Sequence, residues 1–175
     1  MGIDMYAASM PQMVRYFHTT PSMIQLTVTF YMLALFISIL LSINLRSWFE
    51  RWRLINSINT IFIITTITIL YIHNIYVLLL CRFMQGACMG ALSMIVRSIL
   101  YTIANGSKLR KYLLYNSIIF STSAIISPYI GSYIQQVYDW RGNMIFLLLY
   151  VLFLYLFSIP LLRFKVGGVS SLSYH

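Results

Sequence analysis

The sequence predicts an all-α integral membrane protein with five full membrane-spanning helices and a partial first helix. Of its 175 residues, 60% are hydrophobic and only 9% are charged, whereas about a quarter of the residues in a soluble domain are charged. The mean hydropathy is +0.81. Apolar runs of about 20 residues recur along the chain, which is the length that an α-helix needs to cross a bilayer. These observations exclude a soluble globular fold.

The charged residues are unevenly placed. Lysine and arginine outnumber aspartate and glutamate by 12 to 3, and the net charge is +9. The positive residues fall mainly in short segments between apolar runs, as the positive-inside rule describes, so we expect a lipid bilayer and no nucleic acid as a partner. Arg15 and Arg141 fall on one side of the membrane. The cytoplasmic side, which includes the C-terminus, is predicted to carry Arg46, Arg51, Arg53, Lys108, Arg110, Lys111, Arg163 and Lys165.

Apolar periodicity and turn-forming residues divide the chain into a bundle of residues 1–164 and a tail of residues 165–175. The first apolar segment contains Asp4, Pro11 and Arg15 and is too short to cross a bilayer, so we interpret it as the outer half of a helix. The tail contains Gly and Ser, and its composition predicts disorder. The expected helices are residues 1–17 (partial), 22–43, 54–72, 75–104, 112–137 and 142–162, with turns at 105–111 and 138–141.

Residues 80–97 form the segment around which the chain is organised, because they are apolar yet contain an arginine near each end. Gly86 and Gly90 form a G-x-x-x-G pair, which allows close approach of a neighbouring helix, and a packing seam is their favoured interpretation. A charge within a membrane span is functional by default, although Arg82 could also extend its guanidinium to the interface. If residues 80–97 form a helix, one stripe along its surface contains Arg82, Gln85, Gly86, Met89, Gly90, Ser93 and Arg97.

A second small and polar stripe follows in the span predicted at 112–137. Pro128 lies in this stripe and lacks a backbone donor, so it is expected to kink the helix. The stripe contains Ser117, Ser121, Ala124, Pro128 and Gly131. In the following turn, Asp139 with Arg141 is interpreted as a salt bridge or cap in preference to a functional site.

Five short motifs, in order and at suitable spacing, resemble those of one transporter family. They are Asp4-Met5-Tyr6 followed by Pro11, Gln25-Leu26-Thr27, Arg82-x-x-Gln85-Gly86 with Arg97 downstream, Ser127-Pro128-x-x-Gly131, and Trp140-Arg141 followed by Phe146. Over residues 2–155 the chain is similar to the N-terminal half of a major facilitator superfamily transporter. The subtype that it resembles is the Bcr/CflA-type multidrug:proton antiporter.

The resemblance implies proton-coupled efflux of small drug-like molecules across a bacterial inner membrane. The proton gradient would supply the energy, and no cofactor is expected. Asp4 would exchange a proton, because a carboxylate in a low-dielectric cavity has a raised pKa, and Arg82 would bias that proton and orient Gln85. Tyr6, Gln25 and Met89 would line an amphipathic substrate pocket.

The chain also departs from the family pattern. The loop at 43–53 keeps only Leu45, Phe49 and Arg51 of the expected motif, and Ser47 replaces its aspartate. The resemblance ends where the central loop of the family would begin, so a C-terminal half-transporter or a second copy is an expected partner. Two interpretations stay open: a truncated or split transporter, and a non-transporting membrane subunit or degenerate remnant.

The sequence predicts no enzymatic activity. The three histidines, His18, His73 and His175, are isolated, and no metal-ligand cluster, phosphate-binding loop or nucleophile triad is evident. Cys81 and Cys88 lie on one helix, too far apart for a disulfide, and are interpreted as small apolar side chains.

Overall fold

The computed structural model describes residues 2–42 and 48–169, and within these ranges the chain is helical with short turns and no strand. The apolar runs of the sequence become helices because backbone hydrogen bonds within a helix leave no polar group unpaired in lipid. The fold class expected from the sequence is confirmed. The helices are α1 (Gly2–Tyr16), α2 (Pro21–Leu41), α3 (Trp48–Tyr71), α4 (Ile75–Ile103) and α5 (Gly106–Val169).

The long helix α5 consists of two helical segments. Asp139, with φ 59° and ψ −174°, interrupts the helical backbone angles and separates segments 106–138 and 140–169. Within the described ranges, α2, α3, α4 and α5 are long and apolar enough to cross a membrane, and the apolar part of α5 covers 51 residues. Because about 20 residues suffice for one crossing, α5 supplies two spans. The expected turn at 138–141 is therefore reduced to one non-helical residue.

The turn predicted at 105–111 is wrong, since α5 already begins at Gly106. Gly106 has φ +58°, which glycine adopts without a steric penalty, and it reverses the chain directly after Asn105. Lys108 and Arg110 then lie in the first turns of the helix. Lysine and arginine are good helix formers, so basic residues next to a span can extend the helix.

The other end of α5 and the start of α3 also differ from the sequence-based bounds. The α5 helix continues through Val169, so the disorder expected from residue 165 is not found at 165–169, and residues 170–175 lie outside the described residues. Helix α3 begins at Trp48. Phe49 and Arg51 therefore belong to a helix and not to a loop, whereas Leu45 lies outside the described residues.

Helices α2 and α4 form the most extensive contact in the bundle, and two glycines of α4 lie within it. A Cβ atom on Gly86 would lie 2.9 Å from the carbonyl carbon of Tyr31, and one on Gly90 would lie 3.0 Å from Ser38 Cβ. The Ser38 hydroxyl donates to the Ala87 carbonyl at 2.7 Å. The helices approach this closely because neither glycine has a side chain in the contact. Ser93 instead donates to Met89 of its own helix.

Most of the second small-residue stripe is exposed within the described chain. Ser121, Ala124 and Pro128 are exposed, whereas Gly131 at the end of the stripe is buried, and its carbonyl accepts from Asn143. The exposed part of the stripe therefore points away from the rest of the bundle. The non-helical residue in α5 is Asp139, and Pro128 keeps helical backbone angles.

Helix α1 packs between α2 and α5 and is fixed by a buried polar contact. The Asn143 amide donates to Ser9 Oγ at 2.6 Å and to the Gly131 carbonyl at 3.1 Å. One side chain thus joins α1 to both segments of α5. The surrounding apolar core contains Tyr6, Met13, Ile24, Ile69, Leu78, Cys81, Trp140 and Met144.

Replacing Asn143 with alanine is expected to lower the stability of the bundle by about 1–3 kcal/mol, because it leaves buried acceptors without their donor. The loss should appear as a lower temperature at which the detergent-solubilised protein aggregates. Gln136→Ala is the control, since Gln136 lies on the same helix and is exposed. Equal aggregation temperatures for the two variants would contradict the assignment.

Next to the break in α5, Arg141 contacts aromatic side chains. Its Nη2 donates to Tyr16 Oη at 2.7 Å, and its guanidinium lies 5.0 Å from the Tyr16 ring and 5.4 Å from the Trp140 ring. The salt bridge expected between Asp139 and Arg141 is therefore not the contact that Arg141 makes. Tyr16 offers an acceptor and a π face together, whereas Asp139 occupies the helix break.

Candidate functional site

Helix α4 brings a charge into the centre of the bundle. Arg82 and Gln85 lie one helical turn apart, and their side chains are 4% and 0% exposed. The Nη1 atom of Arg82 donates to Gln85 Oε1 at 2.9 Å. The spacing of three residues puts both side chains on one face, so the sequence itself places this pair together.

Helix α3 fixes the orientation of the Gln85 amide. Gln85 Nε2 donates to Thr66 Oγ1 at 2.8 Å, and the Thr66 hydroxyl donates to the Phe62 carbonyl at 2.7 Å. A hydroxyl has one hydrogen, and that hydrogen is used on Phe62, so Thr66 can only accept from Gln85. The amide nitrogen must face Thr66, and the amide oxygen must face Arg82.

Helix α1 covers the guanidinium with an aromatic ring. The Cζ atom of Arg82 lies 3.8 Å from the centroid of the Tyr6 ring, a distance at which a cation is attracted to the π face. The Tyr6 hydroxyl lies 2.7 Å from Thr27 Oγ1. Because the Thr27 hydroxyl donates to the Ile24 carbonyl, Tyr6 is the donor in that contact. Thr27 of α2 therefore fixes the position of the Tyr6 ring, which in turn contacts the Arg82 guanidinium.

Arg82 is buried among neutral partners in the described part of the chain. Besides Gln85 and Tyr6, it contacts Met144, whose Sδ atom accepts from Nη2 at 3.5 Å, and sulfur is a weak acceptor. Its Nε–H has no acceptor among the described residues. Burial of a charge costs several kcal/mol unless strong partners offset it. Among the described residues, one donor of the guanidinium is therefore left without an acceptor.

A cavity of about 310 Å³ opens beside this cluster; we call it the Arg82 cavity. Its wall combines the polar ends of Arg82 and Gln85 with apolar side chains from α3, α4 and both segments of α5. Such a mixture of a largely apolar wall and a few polar groups is typical of small-molecule sites. The full lining is Tyr31, Phe62, Arg82, Gln85, Met89, Asn116, Ile119, Phe120, Ser123, Leu147, Tyr150 and Val151.

The family model of the Major Facilitator Superfamily matches residues 1–171. The chain belongs to the Major Facilitator Superfamily. No curated protein and no solved structure matches the chain significantly. Members of this superfamily are membrane transporters, and their substrate sites lie near the bilayer midplane between helix repeats. In this superfamily member the Arg82 and Gln85 side chains of α4 are buried, and a cavity lies beside them.

The structure brings most of the predicted site residues of this superfamily member together. Tyr6, Gln85 and Arg82 are in contact, and Met89 lines the same cavity. Gln25 does not join them, since its side chain is exposed. The backbone of Asp4 belongs to α1, but its side chain lies outside the described side chains, so its proton-exchanging role stays a prediction.

The structure adds site residues that the sequence analysis missed. Thr27 takes the place expected for Gln25, because the buried face of α2 is formed by Ile24, Thr27, Tyr31 and Ala34. That spacing of three and four residues was a signal available in the sequence. Thr66 and Met144 gave no comparable signal. A hydroxyl or thioether inside an apolar span looks the same whether it contacts lipid or a buried cation.

Metal binding has no support in the described part of the chain. No group of three His, Cys, Asp or Glu side chains there is close enough to hold a metal ion.

Thr66→Val is expected to reduce transport about tenfold, because valine keeps the shape but removes the acceptor of the Gln85 amide, a loss of about 1–3 kcal/mol. Thr66→Ser should retain most of the activity, since serine keeps the hydroxyl. Initial rates of substrate movement in membrane vesicles give the comparison. Full activity of Thr66→Val would show that the amide orientation does not depend on α3.

Proposed function

We propose that this chain is a transporter subunit for proton-coupled efflux of small amphipathic drugs. The observation that carries the proposal is the buried Arg82 cluster beside a cavity of about 310 Å³ with a mainly apolar wall. Apolar parts of a substrate fit the wall, and polar parts fit the guanidinium and amide. Bacterial inner-membrane location and a cytoplasmic C-terminus belong to the same proposal.

Proton coupling requires a group that exchanges a proton inside the bundle. We assign this role to Asp4, two residues before Tyr6 on α1. A positive guanidinium near a carboxylate favours the charged form, while burial favours the neutral form. Substrate binding that changes either the effect of the guanidinium or the burial of the carboxylate therefore makes Asp4 release or take up a proton. The two ligands are then linked through one coupling free energy.

The proposed partner is a second six-helix half, either a C-terminal half-transporter or a second copy of this chain. Substrate sites of this fold lie between two such halves. The α5 face with Ser121 and Pro128 is exposed in this chain, which supports an additional contact there. Lipid covers the remaining apolar surface.

A second candidate function is a non-transporting membrane subunit. The observation that favours it is the sequence of residues 43–53, where Ser47 replaces the aspartate expected from the family pattern. A subunit that has lost gating would keep the packed helices and lose turnover. Transport measurements separate these two functions directly.

The test is efflux in a bacterial host that lacks its own drug exporters. The chain is expressed alone, as two copies in tandem, and together with a six-helix C-terminal half, and accumulation of a fluorescent amphipathic compound is measured. We expect lower accumulation in at least one arrangement, and a protonophore should restore it. Unchanged accumulation in all three arrangements, with the protein present in the membrane, would favour the non-transporting subunit.

A further inference from the structure

A second cavity, of about 330 Å³, lies beside the Arg82 cavity; we call it the Cys88 cavity. It is bounded by α3, α4 and the second segment of α5. On α4 its wall extends from Cys88 to Leu100, and its other side chains are almost entirely apolar. A cavity of this character favours hydrocarbon over polar groups.

The two cavities share part of their wall. Phe62, Met89, Tyr150 and Val151 line both of them. Methionine is unbranched and flexible, so Met89 can move without distorting α4. A single elongated molecule can therefore occupy both cavities, with these four side chains around its middle.

The polar groups are concentrated at one end of this pair of cavities. Among the described side chains that line them, Arg82 carries the one formal charge. Arg82 is 4% exposed, and its Nε–H has no acceptor among the described residues. A buried cation with an unused donor favours a ligand that brings an acceptor, above all an anionic one. The same charge repels a cationic head.

We propose that the two cavities bind one amphipathic acid, with its carboxylate at Arg82 and its unbranched tail in the Cys88 cavity. Arg82 and Cys88 are six residues apart on α4, about 9 Å along a helix, so a tail of roughly ten carbons extends past Cys88. This inference rests on the proposed function and names its substrate class: amphipathic acids in preference to amphipathic cations.

The experiment measures protection of Cys88 from a small maleimide. The protein is placed in lipid nanodiscs without a proton gradient, as a Cys81→Ala variant in which Cys88 is the remaining cysteine. Decanoate should slow the reaction. Decyltrimethylammonium, which keeps the tail but lacks the carboxylate, should require at least about tenfold higher concentrations, the difference expected for one charged hydrogen bond. Acetate, which keeps the carboxylate but lacks the tail, should also require at least about tenfold higher concentrations, because it buries almost no apolar surface. The reciprocal Cys88→Ala variant reports on Cys81, which is buried outside both cavities, and decanoate should leave its reaction unchanged.

Arg82→Gln should remove the difference between the acid and the cation. Decanoate and decyltrimethylammonium are also compared on the protein that keeps Arg82. That comparison remains valid even if the Arg82→Gln variant misfolds. Equal protection by decanoate and decyltrimethylammonium would overturn the inference. Full protection of Cys88 by membrane lipid alone would also overturn the inference, because a lipid chain would then occupy the Cys88 cavity.

The outcomes also separate this inference from the proposed function. If decanoate protects Cys88 in a protein that transports nothing, the inferred binding site stands and the proposal of proton-coupled efflux fails. If the protein exports cations and decanoate does not protect Cys88, the proposed transport function stands and the inferred substrate class is wrong.

Discussion

Replacing Arg82 with alanine is expected to reduce efflux to the level of cells that lack the chain. The guanidinium contacts Gln85, Tyr6 and Met144, and alanine removes all three contacts together. A truncation also leaves a void, so Arg82→Met is the sharper variant because it fills the space without the charge. Substrate accumulation and the amount of protein in the membrane are measured together.

The stability of Arg82→Met distinguishes a functional role from a structural one. A buried charge with neutral partners destabilises the folded protein, and an apolar residue of similar size is often neutral or stabilising by about 1–4 kcal/mol. We therefore expect Arg82→Met to aggregate at the same or a higher temperature while efflux is lost. A large drop in the aggregation temperature would show instead that Arg82 supports the fold.

Asp139→Asn is the matched control for the Arg82 variants. Asp139 is exposed at the break in α5 and lies outside the Arg82 cavity. Efflux by the Asp139→Asn variant should equal that of the unsubstituted chain. Equal loss of efflux from Arg82→Met and Asp139→Asn would show that the assignment of the site is wrong.

Gly86→Val is expected to prevent correct packing of α2 against α4. The added Cβ would overlap the backbone of Tyr31, and a backbone atom cannot move aside as the end of a side chain can. Overpacking costs about 1–3 kcal/mol and occasionally more, and a contact with rigid backbone belongs at the upper end of that range. Since Gln85 directly precedes Gly86 and Arg82 lies one turn earlier on α4, a displaced helix also disturbs their contacts. Protein yield and aggregation temperature after extraction are the measurements.

Ala124→Val is the control for Gly86→Val. Ala124 is an exposed helical position on α5, so the two methyl groups of valine point away from the packed helices there. We expect its yield and aggregation temperature to stay close to those of the unsubstituted chain. A Gly86→Val variant that is equally stable would mean that α2 and α4 are further apart than the structure shows.

The sequence predicted the fold well because the membrane imposes a strong constraint on every span. Apolar runs of sufficient length must form helices in lipid, and α2, α3 and α4 follow from this alone. The helix ends were harder to predict. Lys108 and Arg110 look like turn residues by charge, yet they continue a helix, since propensity and not polarity decides the backbone there.

The candidate site was predicted in part. Arg82 and Gln85 share a helix face by their spacing, so their contact follows from α4 alone. The partners on other helices depend on how the helices rotate about their axes. Gln25 and Thr27 both carry polar groups and are only two residues apart, and the rotation of α2 places Thr27 inside. Thr66 is found through its contact with Gln85, which no pattern within α3 reveals.

The most direct test of the account is the accessibility of position 82. A cysteine is introduced there, with Cys81 and Cys88 changed to alanine, and it is treated separately with a bulky aqueous maleimide and a bulky lipid-soluble one. Lys108→Cys is the reference for water, and Leu114→Cys, at a position that is 55% exposed on α5, is the reference for lipid. A position enclosed by α1, α3 and α5 should react slowly with both reagents. Reaction at position 82 as fast as at either reference would contradict the buried guanidinium on which the proposed transporter site depends.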